Sequence, residues 1–422
     1  MTTVALLGTL DTKREEYLFL LALVQRHRCE AVVLDAGLYS NAEDDVRGAG
    51  ARYVGPDALA EAGGSSRSVL RDGADRGEAL RVMAAGAGVV LADLVRDGSV
   101  DGVLAAGGSG ATSLAAAVFR KLPFGLPKVL VSTLAAVDIG RYVNGLDCAV
   151  INPVADVAGV NRLTGPVLTN AAAAACGMAR THRADPYPVA SGAPLVCATM
   201  FGVTTPCVSA ARAVLRDAGC EVVVFHANGS GGRAMEQLIA SDMFVAALDV
   251  TTTELADEIV GGDLPAGPDR FTVAGRHGIP QVVSLGALDV VNFGRFDDVP
   301  SRFRHRTLVR HNADVTLMRT DAEEAGRIGA ELGRRLSTAT APVAVAVPSG
   351  GFSSLSVPRG PFHDPEADAE LVSALTAALA SAQAKNVEVI ELDGSINDEP
   401  VARAMAEKLL ELCATSPKSL IR

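Results

Sequence analysis

At 422 residues the chain exceeds the size at which one hydrophobic core stops growing, so two domains of about 200 residues each are expected. Apolar residues make up 49% of it and mean hydropathy is +0.26, yet no apolar run reaches the roughly 18 uncharged residues of a membrane helix. A formal charge of −11, no Trp and 4% aromatic content exclude general nucleic-acid binding, which needs a cationic face or a stacking platform.

Met1 to Leu10 lead straight into an apolar strand and then a charged helix, without the features of a signal peptide, and the expected location is the cytoplasm. Seven cysteines are scattered through apolar segments with no C-x-x-C pair, and seven histidines form no H-x-x-x-H array. They read as reduced core thiols, with neither a redox motif nor a structural zinc site signalled.

A short apolar run, a Gly/Ser/Thr turn and an amphipathic stretch recur along the chain, the signature of parallel βα units and an α/β fold. In the first half the predicted strands are Val4–Leu7, Ala31–Leu34, Gly102–Ala106, Lys128–Ser132 and Ala149–Asn152. Each is apolar throughout, as strands covered by helices on both faces must be. Asp185-Pro186-Tyr187-Pro188 and Ser191-Gly192-Ala193-Pro194 then break the rhythm and predict a linker. The predicted domains are residues 1–188, for nucleotide binding, and 189–422, for the substrate, with a cleft between them. In the second half the predicted strands are Leu195–Phe201, Glu221–Phe225, Met243–Asp249, Gln281–Leu285, Val343–Val347 and Val387–Leu392. Aligned by order, Gly8-Thr9-Leu10-Asp11-Thr12 corresponds to Gly202-Val203-Thr204-Thr205, and Gly107-Gly108-Ser109-Gly110 to Thr251-Thr252-Thr253, the pattern of a divergent duplication.

Ligands of doubly wound sheets bind beyond the carboxyl ends of the strands. The richest such turn is Gly107-Gly108-Ser109-Gly110-Ala111-Thr112-Ser113, whose glycines leave helix amides facing outward as an anion nest, although no Walker lysine follows. Phosphate there would rest on backbone amides and the hydroxyls of Ser109, Thr112 and Ser113, whereas tight strand-to-helix packing explains the glycines equally well. In the first turn Thr12 and Glu15 fit a capping box, while Asp11 and Lys13 have the chemistry to hold a cation and a phosphate. Asp35, ending the second strand, stands where a ribose hydroxyl is often met, or caps its own turn. The polar stretch 63–76 reads as a mobile lid whose Arg67, Arg71 and Arg76 close over phosphates, or as a charged surface loop.

The second half offers acid-base groups: His226 and Asp249 at strand ends, and Asp289 and Asn292 in a Gly-flanked turn. Side by side, His226 and Asp249 would form a general base, and Thr251 with Glu254 fits a second capping box. The basic run Arg302–Arg306 with Arg310 and His311 suits an anion or an oligomer contact, with a solvated loop the bland alternative. Pro348–Ser354 forms another strand-end glycine turn, followed by His363-Asp364.

Several segments together resemble the bacterial and fungal family related to the ATP-binding inhibitory domain of the tomato mosaic virus resistance protein. They are Gly8–Lys13, Gly107–Gly110, Pro127–Thr133, Asp156–Asn161, Met200–Pro206, Asp249–Glu254 and Gly286–Gly294. The resemblance implies two Rossmann-like subdomains, a homodimer, and ATP held by the first. Carried over, the contacts are Gly8, Thr9, Asp11, Thr12, Asp35, Gly37, Gly107, Gly108, Ser109 and Gly110, with Thr133 adding a hydroxyl. The expected function is an ATP- and Mg²⁺-dependent enzyme transferring a phosphoryl or adenylyl group to a small acidic or hydroxylated metabolite. In it Asp11 meets the metal, and His226, Asp249 and Asp289 serve catalysis. The alternatives are a non-catalytic nucleotide-binding regulator, or an ATP-independent isomerase, lyase or hydrolase using a second-domain cleft.

Overall fold

Side chains on successive strand residues point to opposite faces, so an apolar strand must be covered twice. The computed structural model, which describes residues 1–73, 75–184 and 192–415, meets this demand in two separate units, Met1–Ala190 and Ser191–Arg422. In the first unit, strands β1 (Thr3–Gly8), β2 (Glu30–Asp35), β3 (Arg52–Val54), β4 (Gly102–Gly107), β5 (Lys128–Ser132) and β6 (Ala149–Ile151) form one parallel sheet. Its order is β3-β2-β1-β4-β5-β6, so the chain reverses direction across the sheet between β1 and β4. Val4 and Leu6 pack on one face against helices Arg14–Arg26 and Thr164–Ala184, while Ala5 and Leu7 pack on the other under helices Pro56–Ala62, Arg76–Arg96 and Ser109–Phe119.

The second unit contains β7 (Leu195–Met200), β8 (Glu221–His226), β9 (Ala246–Asp249), β10 (Gln281–Ser284), β11 (Val290–Phe293), β12 (Leu308–Arg310), β13 (Thr316–Arg319), β14 (Val343–Pro348) and β15 (Val387–Leu392). Six of these form a parallel sheet, ordered β15-β14-β10-β9-β7-β8. Read from the other edge, β8-β7-β9-β10 repeats the order β2-β1-β4-β5 of the first unit. Val196 and Ala198 face helices Thr205–Asp217 and Glu399–Ala414, while Cys197 and Ala247 face helix Ser230–Ala240. The remaining strands make an antiparallel sheet, β11-β13-β12, which places Asn292 and its neighbours in a strand rather than in the turn expected from its flanking glycines.

The expected linker Asp185–Pro188, with Ser191, lies outside the described residues. The stretch read as a lid holds two capped helix starts: Ser66 Oγ accepts from the Val69 amide at 3.3 Å, and Asp75 Oδ1 from the Glu78 amide at 2.8 Å. Both expected capping boxes give way to longer-range bonds. The first helix begins one residue later, with Lys13 as its cap and the Glu15 carboxylate accepting from the Val160 amide, and Glu254 is turned inward. Among the described residues no helix is long and apolar enough to cross a membrane.

Candidate functional site

The first unit opens at its reversal point. Gly8 ends β1 and Gly107 ends β4, and the two ends are tied by Tyr17, whose hydroxyl accepts from the Ala106 amide at 3.0 Å and donates to the Leu7 carbonyl. Gly107, at φ +152°, leaves no room for a side chain, since a β-carbon there would lie 2.7 Å from that of Ala111. Beyond it, Gly108 caps helix Ser109–Phe119, whose first-turn amides have no partners inside the helix and carry the positive end of its dipole.

Around this helix start lies a cleft of about 670 Å³, a volume typical of small-ligand sites. It brings together Thr9, Asp11, Thr12, Gly37, Gly108, Ser109 and Gly110. Thr9 and Thr12 share a hydroxyl hydrogen bond at 3.1 Å, and the Asp11 carboxylate accepts from the Tyr39 amide at 3.1 Å. A β-carbon on Gly37 would stand 2.7 Å from Asp11 Cγ, so this glycine lets the two turns approach. Lys13 also borders the cleft, with its ammonium donating to the Val157 carbonyl.

Four expected contacts have other work. Gly8 is buried beneath Tyr17. Asp35 is fully buried, its Oδ1 accepting from the Leu10 and Gly37 amides, each at 2.9 Å, and its Oδ2 from Tyr53 Oη at 2.9 Å. It braces the turns and has no surface for a ribose. Thr112 is buried as well, bonded to the Gly108 carbonyl and, at 2.6 Å, to Ser132 Oγ. Arg67 holds the 38–40 turn through the Leu38 and Ser40 carbonyls and pairs with Asp57 at 3.0 Å, so the arginines that reach the cleft are Arg71 and Arg76. Thr133 lines a neighbouring cavity of about 600 Å³ that shares Gly108 and Ser109 with this cleft.

Sequence reasoning missed Tyr39 and Asp156 as cleft residues. Tyr39 is exposed at the rim with the Arg71 guanidinium 4.7 Å above its ring centre, and Asp156 borders both cavities. The available signal was an aromatic residue two positions after Gly37 and an acid at the head of the Asp156–Asn161 segment.

The second unit's reversal point, between β7 and β9, is sealed. Asp249 is buried and receives both terminal nitrogens of Arg270, Nη2 to Oδ1 at 2.8 Å, together with Thr199 Oγ1 at 2.6 Å. Arg270 Nε reaches Glu254 at 2.7 Å and its Nη1 reaches Glu236 at 3.3 Å. Burial pushes the Glu236 carboxyl up to about 7 against the pull of Arg270. The Thr204 and Thr251 hydroxyls close the rest at 2.7 Å. His226 lies on the edge strand β8, stacked on Phe201 at 5.1 Å, with β7 between it and β9. The two are therefore about two strand spacings, roughly 10 Å, apart, and the expected His226–Asp249 base is not assembled. Asp289 is also buried, accepting from Ser353 Oγ at 2.6 Å, and desolvation raises its pKa. In the basic run, Arg306 is paired with Asp321 and Glu324. The Pro348–Ser354 turn borders a separate, mostly apolar cavity of about 450 Å³ that His363 and Asp368 also line. Among the described residues no group of three or more His, Cys, Asp or Glu side chains is placed to hold a metal ion.

Comparison with known proteins adds relatives over the whole chain. A "UPF0261 protein" of Clostridium tetani is 41% identical over 97% of this chain and 98% of its own length. The ToMV resistance protein Tm-1 of Solanum lycopersicum is 39% identical over 82% of this chain, which spans 45% of the tomato protein. Among solved structures, a UDP-GlcNAc 2-epimerase from Neisseria meningitidis aligns with 67% of this chain and 82% of its own, at 11% identity and a TM-score of 0.26. The N-terminal domain of the Uncharacterised protein family (UPF0261) matches residues 2–184 and its C-terminal domain residues 193–413. With both domains matched in order and in register with the two units, the chain belongs to the Uncharacterised protein family UPF0261.

Proposed function

We propose that the open cleft of the first unit binds ATP, and that the protein transfers a phosphoryl or adenylyl group from it to a small metabolite. The observation that carries this reading is the convergence, on one cleft, of an open helix N-terminus, hydroxyls from Thr9, Thr12 and Ser109, and the guanidinium groups of Arg71 and Arg76. Amides and guanidinium groups are the donors that phosphates select, and Tyr39 at the rim offers a face for a base. The resemblance noted from the sequence points to the same ligand, and its implied homodimer belongs to this reading.

Mg²⁺ fits the same cleft, because it takes one or two carboxylates and completes its shell with phosphate oxygens and water. Asp11 supplies such a carboxylate, with Oδ2 engaged by the Tyr39 amide and Oδ1 without a protein partner among the described residues. When bound, the ion would neutralise charge on the phosphates. The chain's own groups orient the nucleotide and stabilise the charge that develops during transfer.

Isothermal titration of the full chain with ATP and MgCl₂ tests the reading. Gly108→Asp is the matched variant: a β-carbon at 108 meets only Thr133 Oγ1, at 3.7 Å, so a carboxylate is added at the helix cap without displacing the fold, where it competes with phosphate for the first-turn amides. Binding in the wild type with at least about 100-fold weaker binding in Gly108→Asp is expected, in line with charge repulsion of a few kcal/mol. A wild-type protein without ATP affinity would overturn it.

A further inference from the structure

The helix start at Gly108 and Ser109 faces two cavities. The nucleotide cleft and the cavity of about 600 Å³ are both bordered by Gly108, Ser109 and Asp156. A phosphoryl group held on the helix amides therefore stands at the wall between two binding spaces. Asp156 stands at the same wall.

The second cavity has a distinctive lining. Its polar side chains are Ser109, Thr133, Asn152 and Asp156, and among the described residues no Lys, Arg or His borders it. Asn152 Oδ1 is occupied by the Val154 amide at 2.9 Å, which leaves the Asn152 amide nitrogen as the group free to meet a ligand. Thr133, Ser109 and Asp156 side chains have no hydrogen-bond partner among the described residues. The hydroxyls can donate or accept, the free Asn152 amide nitrogen donates, and the single charged group is an acceptor. Such a lining suits vicinal hydroxyl groups. With the helix amides engaged by the transferring phosphoryl group, a carboxylate or phosphate ester entering the cavity would face Asp156 with no cationic side chain in the lining to offset it, at a cost that discriminates against it.

Building on the ATP reading, we infer that this cavity is the acceptor site of a phosphotransferase, that its substrate is an uncharged polyhydroxylated molecule, and that Asp156 is the catalytic base. The acceptor hydroxyl oxygen bonds to the γ-phosphorus, its proton passes to the Asp156 carboxylate, and the bond from that phosphorus to the β,γ-bridging oxygen breaks, releasing ADP. The products are the phosphate monoester and ADP, with no other reactant. Ser109, Thr133 and Asn152 orient the hydroxyls, and the helix amides hold the transferring group.

ADP release is measured in the full-length protein with ATP, MgCl₂ and two matched panels: glycerol, erythritol and free aldoses, and the corresponding aldonic and hydroxy acids. Calorimetry gives ATP affinity in parallel. The expected result is ADP release stimulated at least 10-fold by members of the uncharged panel and not by the acids. Asp156→Asn lowers that stimulated kcat by at least about 100-fold, the usual contribution of a general base. Ala136→Phe, at an exposed wall position of the second cavity alone, raises the polyol KM at least 10-fold with ATP affinity within 2-fold of wild type. ATP binding with stimulation by the acids alone, with no stimulation, or with full activity in Asp156→Asn overturns the acceptor-site inference and leaves the ATP reading standing. Absence of ATP binding overturns both.

Discussion

Tyr17 occupies the space in which a side chain on Gly8 would sit: a β-carbon there falls 2.1 Å from Tyr17 Cζ. The same ring carries the hydroxyl that joins the ends of β1 and β4 under the cleft. Tyr17→Phe keeps the ring and strands the Ala106 amide in a buried strand end. A loss of about 1–3 kcal/mol in urea denaturation is expected, the cost of an unpaired buried donor. A loss under about 0.5 kcal/mol would argue against the bracing role.

Two arginines of the supposed lid separate binding from folding. Arg71 lies over the Tyr39 ring in the cleft, whereas Arg67 ties the 38–40 turn to its own helix. Arg71→Ala should weaken ATP binding about 10-fold, or 1.4 kcal/mol, with an unchanged melting temperature. Arg67→Ala should lower stability by about 1–2 kcal/mol through its lost carbonyl contacts. Calorimetry and thermal melts on both variants check the assignment, which fails if their effects are reversed.

At the sealed end of the second sheet, Arg270 is the one cation shared by Asp249, Glu254 and Glu236. Arg270→Met leaves three buried carboxyl groups without it and should cost about 3–5 kcal/mol at pH 7. The loss should shrink on acidification to pH 5.5, because stranded carboxylates relieve their burial by taking up protons. A substitution tolerated at pH 7 in denaturant titration would contradict this.

Stability should also fall as pH rises towards 8 in the wild type. Burial pushes the Asp257 carboxyl up to about 8, outweighing the hydrogen bonds from Asn292 that favour its ionised form. An unfolded chain ionises this group near 3.9, so between about pH 4 and 8 the folded state holds the extra proton and loses stability with each step upward. Burial places Glu236 at about 7 and Asp368 at about 6, acting in the same sense. Asp257→Asn should flatten the slope between pH 5 and 8 by up to about 1.4 kcal/mol per unit. Urea midpoints at pH 5, 6, 7 and 8 read this directly, and an identical slope in the variant would refute it.

Much of the architecture was legible because parallel strands must be apolar on both faces. Val4–Leu7 and Lys128–Ser132 announce themselves by composition and by the glycine or hydroxyl turn that follows. β3 was not legible, since three residues with exposed Arg52 carry too little pattern, and β11 was hidden because Asn292 looks like a turn residue until Asp257 and Thr253 are seen to accept its backbone and side-chain N–H groups. Gly108, Ser109 and Asp11 line the cleft because they stand in turns that follow strands of one parallel sheet, which the strand-turn-helix rhythm places at one edge. Asp35 and Thr112 read as ligand contacts and Asp249 as a catalytic group because a strand-end polar residue looks alike whether its partner is a substrate or another segment. Their partners, Tyr53, Ser132 and Arg270, are 18, 20 and 21 residues away.

The guanidinium of Arg270 also explains why two sheets of matching strand order differ so much in what they present to solvent. In the first unit the strand ends are framed by glycines and open onto the cleft. In the second the strand end is filled by a cationic side chain of the same unit, hydrogen-bonded to the Asp249 carboxylate, with threonine hydroxyls packed around the pair. A tethered counterion never dissociates and cannot be outcompeted. The strand end that opens onto a cleft in the first unit is, in the second, occupied by the chain's own buried charge.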